Sequence, residues 1–198
     1  MTINILPMLI NTKKIFNNKN SKLSKENIYS FGLQPGKTCK NAGICKNICY
    51  GLKGNYRRFP SHLIKYNNNL ILTKKNNFID LCINDIVRRK IKYIRWHDTG
   101  DIYNQAYLNK IETIAQKTQK HNCFHYAYTK MVNLKYRPVD NFKIIFSFGG
   151  KYDNKINISR PHSKIFYNLE DMRKKKYVDC SKSDKKAIKN IRIGLLYH

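Results

Sequence analysis

The sequence predicts one α/β domain: a partial or incomplete (β/α) barrel with mostly parallel strands and a cysteine-bearing loop near its N-terminal end. Three observations predict it. Short β-branched and aromatic runs alternate with segments whose apolar residues recur at helical spacing, as in a parallel sheet with crossover helices. The chain has 198 residues, the length of a single domain. With 41% hydrophobic and 12% aromatic residues it can bury a core, which excludes wholesale disorder.

Residues 1–26 are rich in Lys and Asn and read as a basic N-terminal segment, with the domain proper spanning 27–198. Residues 27–33 have the aromatic and apolar character of a strand, stopped by the turn signal Pro35-Gly36. A loop over 37–54 comes next, with Gly43, Gly51 and Gly54 in it. From Pro60 to about Lys90 the apolar spacing predicts two helices or one broken near 74–77. A strand over 92–96 runs into His97-Asp98-Thr99-Gly100-Asp101, which must be a loop. Residues 103–120 read as a helix with Ala106, Tyr107, Ile111, Ile114 and Ala115 on one stripe. Strands are then expected over 123–129, 142–148, 163–167 and 191–197, the last two separated by a basic, helical or irregular stretch.

Thirty-nine Lys and Arg against twelve Asp and Glu give a net charge of +27. An A+T-rich genome accounts for abundant Asn, Ile and some Lys, but not for missing acids: Glu26, Glu112 and Glu170 are the whole of the glutamate. Such a field favours a polyanionic partner, nucleic acid first, then a nucleotide or an anionic membrane surface. No apolar run approaches the roughly 20 residues that span a bilayer. The first ten residues lack a basic n-region and a cleavage site. Six cysteines without a secretion signal read as thiols in a reducing compartment, so an intracellular, soluble protein is expected.

The sharpest motif is Cys39, Cys45 and Cys49, with five and then three residues between them on a Gly-bearing loop. Soft thiolates so grouped can converge on a metal centre, and Lys40 and Lys46 favour the ionised forms. A structural zinc site usually needs four ligands in two close pairs, and no second Cys pair or His pair is present. Three cysteines therefore fit an iron–sulfur cluster better than a zinc finger, the bland alternative being ordinary buried thiols. Cys180, alone in a polar stretch, is a candidate fourth metal ligand, whereas Cys82 and Cys123 lie on apolar stripes and read as core. At the carboxyl end of a predicted strand, where parallel folds bind ligands, His97, Asp98 and Asp101 gather an imidazole and two carboxylates. The same segment reads equally as a turn in which Asp101 caps the following helix. Phe124, Tyr126 and Tyr128 share one face of a strand, as core or as a stacking surface. Neither a Walker loop, a dinucleotide glycine fingerprint nor a serine elbow is present.

With these residues in view the chain resembles the phage "gene product 88" family of viral proteins, from about Phe31 to the end. Leu33-Gln34-Pro35-Gly36-Lys37-Thr38-Cys39, followed by Cys45 and Cys49-Tyr50, resembles that family's Leu-Pro-Ala-Gly-Lys-x-Cys and Cys-Tyr elements. Arg95, His97, Gly100 and Asp101 match its Arg-x-His-x-Ser-Gly-Asp-Phe segment, and Tyr107 matches a position a few residues beyond it. Tyr126 to Lys130 resembles its Tyr-x-Tyr-Thr-Lys strand, and the last residues, ending in His198, its C-terminal strand. The group in turn is similar to radical S-adenosylmethionine enzymes, whose cysteine gaps are usually three and two. That similarity implies a 4Fe–4S cluster on Cys39, Cys45 and Cys49, S-adenosylmethionine as cofactor, Arg95 and Gly100 at the cofactor, and His97 and Asp101 as catalytic residues.

The reading that joins these features is a radical S-adenosylmethionine-like iron–sulfur enzyme acting on nucleic acid or a nucleotide. Two others stay open: a non-enzymatic basic nucleic-acid-binding protein with a structural metal, and a metal-free host-interaction protein.

Overall fold

The computed structural model describes residues 14–53 and 60–197. A short helix α1 (Ser21–Lys25) leads into strand β1 (Tyr29–Phe31), and the cysteine loop comes after it with 3-10 turns at Ile44–Lys46 and Tyr50–Leu52. Two helices, α2 (Pro60–Lys74) and α3 (Phe78–Arg88), precede β2 (Tyr93–Trp96). Helix α4 (Gln105–Thr118) joins β2 to β3 (Phe124–Thr129), and β4 (Phe142–Ser147) and β5 (His162–Phe166) come next. The chain ends with α5 (Leu169–Lys174), β6 (Val178–Asp179), α6 (Asp184–Lys189) and β7 (Arg192–Leu196). The break expected near 74–77 is there, between α2 and α3.

The strands form one seven-stranded sheet in the order β1-β2-β3-β4-β5-β7-β6, and every pairing is parallel. The sheet is open and does not close into a barrel. The helices α2–α4, which connect β1, β2 and β3, lie together on one face of the sheet. That face is the larger core, where Leu70, Leu72, Phe78, Cys82, Ile86, Leu108 and Ile111 of α2–α4 meet Phe31, Ile94, Trp96, Ala127 and Ile144. Phe16, Phe31 and Trp96 make edge-to-face contacts inside it, with ring centroids 5.4–6.1 Å apart. Each such buried aromatic side chain contributes about 2–3 kcal/mol of burial free energy. On the opposite face Leu23 of α1 and Ala187 of α6 pack on Tyr126, Ile145 and Ile193. The period-two alternation of β3 thus places Tyr126 in one core and Ala127 in the other.

The segment expected as a basic lead-in is described from residue 14 onward, and there it is packed against the domain. Ile15 and Phe16 are buried, and their backbone N–H groups donate to Asp85 Oδ2 of α3 at 2.9 and 3.0 Å. Residues 1–13 and His198 lie outside the described residues.

Candidate functional site

The carboxyl ends of the strands converge on one cavity of about 170 Å³. His97 to Asp101 come after β2, Tyr128, Thr129 and Lys130 end β3, and Ser147, Ile165 and Leu195 end β4, β5 and β7. The cysteine loop covers this edge, contributing Cys39, Cys45, Cys49, Tyr50 and Gly51 to the wall.

Backbone hydrogen bonds hold the loop down. Gly43 and Cys45 N–H both donate to Gly149 O at 3.1 Å, and Lys151 N–H donates to Asn41 O at 2.8 Å. The carboxylate of Asp153 steadies the acceptor turn by taking the N–H groups of Gly149 and Gly150, each at 2.8 Å. A Cβ on Gly43 would lie 2.9 Å from the Gly150 backbone, so the two loops meet only because the residue is glycine. Tyr50 donates its hydroxyl to Asp98 O, and Thr38 Oγ1 accepts from Asp101 N–H at 3.3 Å.

The loop after β2 is shaped by two left-handed residues, His97 at φ +64 and Gly100 at φ +83. A non-glycine residue in that region carries strain of about 1–3 kcal/mol, and such residues cluster where function demands them. His97 is buried, its Nε2 lies 3.0 Å from Tyr107 Oη, and its Nδ1 has no hydrogen-bond partner. Burial, with Arg95 adding to it, lowers this imidazole to about 3, so it is neutral at physiological pH.

Asp101 proves to be a brace. Its Oδ1 accepts from Ile102 N–H at 2.7 Å and Thr129 Oγ1 at 2.6 Å, and its Oδ2 from Lys130 N–H at 2.9 Å. It ties the β2 loop to the end of β3. It does not cap α4, because Asn104 does, accepting from Tyr107 N–H at 2.9 Å. Lys130, a cation of the wall, donates to Ser147 Oγ at 2.9 Å.

A family model described as "Gene product 88" matches residues 7–193. The chain belongs to that family. No curated protein and no solved structure matches it. The elements quoted from the sequence are those that meet in this family member's cavity: Cys39, Cys45 and Cys49 from one segment, Arg95, His97, Gly100 and Asp101 from another, Thr129 and Lys130 from a third.

Burial pushes the Cys39 thiol up to about 11, with the Asp101 carboxylate adding to the rise, and burial raises Cys49 as well. Backbone N–H groups already serve the sulfurs, Gly36 on Cys39 and Gly51 and Leu52 on Cys49. Soft donors with amides aimed at them suit an iron–sulfur cluster. Among the described residues no three His, Cys, Asp or Glu side chains come together as a site for a single metal ion.

Cys180 does not line the cavity. It is buried in the core beneath α1 and α6, with its N–H on Gly194 O at 2.9 Å. Arg95 does line it, and joins a buried ion cluster that sequence reasoning missed. Its Nη1 lies 2.9 Å from Asp184 Oδ2, which also accepts from Tyr126 Oη at 2.7 Å, while Lys22 Nζ meets Asp184 Oδ1 at 2.5 Å. Although burial opposes it, Arg95 and Lys22 hold the Asp184 carboxyl below the usual carboxylate range. The one signal in the sequence was a lone acid after Ser183, which reads only as helix capping.

Among the described residues no helix is long and apolar enough to cross a membrane.

Proposed function

We propose that this cavity is the centre of an iron–sulfur enzyme of radical S-adenosylmethionine-like type, acting on nucleic acid or a nucleotide. The observation that carries the reading is that three thiols and an unpartnered buried imidazole line one cavity at the carboxyl edge of an all-parallel sheet. Cys39, Cys45 and Cys49 would hold a 4Fe–4S cluster. When bound, that cluster would supply the one-electron chemistry by which S-adenosylmethionine is cleaved reductively.

The chain's own residues do the rest. Protonated thiols release their protons to solvent as the metal centre binds, so loading is favoured by higher pH. Lys130 is the cation in this wall that could meet an anionic group of a ligand, since Arg95 is paired with Asp184, and Gly100 lets the loop pack on Leu33 and Thr38, where a Cβ would come within 2.7 Å of both side chains. His97, neutral and with an unpartnered Nδ1, would orient the substrate through a hydrogen bond at that atom. Asp101 acts by positioning Thr129 and Lys130.

Anaerobic expression followed by iron, sulfide and zinc analysis tests this. About four irons and four sulfides per chain are expected. They should be lost in Cys39→Ala, Cys45→Ala and Cys49→Ala, and kept in Cys180→Ala. One zinc and no iron would overturn the enzyme reading and leave a metal-stabilised nucleic-acid-binding protein.

A further inference from the structure

The rows of side chains that line the cavity continue past its mouth. Ile165 of β5 and Leu195 of β7 face the cavity, and the next residues of the same parity are Tyr167 and Tyr197. The pairing of the two segments extends this far, since Tyr197 N–H donates to Phe166 O at 2.9 Å. The two rings are neighbours, with centroids 5.4 Å apart at 54°. They are also open to solvent, Tyr167 being 73% and Tyr197 42% exposed. The cysteine loop, which forms another part of the cavity wall, carries exposed Ile44, Tyr50 and Leu52. Exposed lysines lie on segments that border the same cavity: Lys40, Lys46 and Lys53 on the cysteine loop, and Lys151 on the turn after β4 to which that loop is bonded. The acids nearest in the chain, Glu170 and Asp171, are followed by Arg173, Lys174, Lys175 and Lys176, and Lys175 already pairs with Asp171 at 3.3 Å.

An exposed aromatic pair at one side of a cavity and exposed lysines on the loops at its other side, on a chain of net charge +27, suit one kind of partner. We propose that this edge is a docking surface for single-stranded nucleic acid, with an unstacked base lying on the Tyr167–Tyr197 pair and the lysines of the two loops holding its phosphates. A duplex offers the same phosphates but keeps its base faces stacked, so the tyrosines select the single strand. The inference rests on the polyanion part of the proposed function and needs no metal.

The test is fluorescence anisotropy on the full, reduced, metal-free chain, with a labelled 15-nucleotide oligothymidylate and a 15-base-pair duplex over a range of salt concentrations. Tyr167→Ala/Tyr197→Ala is expected to weaken the single strand roughly tenfold or more with an unchanged salt slope. Lys46→Gln/Lys151→Gln is expected to lower that slope by about 1.4. Because these side chains are exposed, both variants should keep the wild-type melting temperature. Equal single-strand affinity in the tyrosine variant, or wild-type preference for duplex, would overturn the inference. So would a dimer in sedimentation velocity that the tyrosine variant abolishes, which would assign the face to a second copy of the chain. Iron and sulfide content of the tyrosine variant separates the two proposals. A full cluster with tyrosine-independent binding removes only this one, and tyrosine-dependent binding without iron removes only the cluster.

Discussion

His125 shows how much a single buried side chain fixes. Trp96 Nε1 donates to its Nδ1 at 3.2 Å, so Nδ1 must offer a lone pair and the proton must sit on Nε2, 2.9 Å from Thr118 Oγ1. A second proton on the ring would set N–H against N–H, and burial lowers the imidazole to about 3, as it does for His97. In the unfolded chain both histidines titrate near 6.5. Between about pH 6.5 and 3 the unfolded state therefore binds protons that the folded state refuses, and stability falls as pH falls through that window. Each histidine contributes a slope of about 1.4 kcal/mol per pH unit. Asp184 acts lower: its depressed carboxyl adds stability that is present above the ordinary carboxylate range and lost below it. Urea unfolding at pH 7, 6 and 5 should show the midpoint dropping over the histidine window. A flat profile would contradict two neutral buried rings.

Among the elements, the cysteine loop is the one whose placement depends most on a single contact. A Cβ on Gly43 would press on the Gly150 backbone at 2.9 Å. Gly43→Ala should therefore lift the loop from the β4–β5 turn and weaken the Gly43 and Cys45 bonds to Gly149 O. The sheet and its two cores lie elsewhere and should hold. For the proposed cluster the expected outcome is a loss of most of the iron, with a change in unfolding free energy of the metal-free chain of no more than about 1 kcal/mol. Full iron content in this variant would show that docking is not what positions the thiols. The separate elements α5, β6 and α6 were not resolved within the stretch read as helical or irregular, because helices of six residues and a strand of two are too short for a period to repeat.

At the scale of the whole molecule one ion cluster links distant parts of the chain. Lys22 lies in the N-terminal segment, Arg95 on β2, Tyr126 on β3 and Asp184 at the start of α6, and all converge on one carboxylate. Asp184→Asn would leave two cations facing each other against the sheet. Breaking such a pair costs about 3–5 kcal/mol when buried, and Arg95 and Lys22 keep 16% and 27% of their side chains in solvent, so about 2–3 kcal/mol is expected here. Chemical denaturation measures it. A loss below about 0.5 kcal/mol would mean that the cluster is solvated and does not hold the N-terminal segment to α6.

The alternation of strand-like and helix-like runs determined the parallel α/β class, because a strand buried on both faces and a crossover helix each leave a local pattern. The family elements around Cys39, His97 and Lys130 were equally local, and the cavity was legible as three separate motifs. Tertiary structure decided what no local pattern encodes. It left the sheet open, and it packed residues 14–26 against the domain through Asp85 and Asp184. It put Cys180 in a core away from the other thiols and turned Asp101 into a brace. A side chain's role depends on the partners brought to it, and for Cys180, Asp101 and Asp184 those partners lie 14 to 162 residues away in sequence or on other elements.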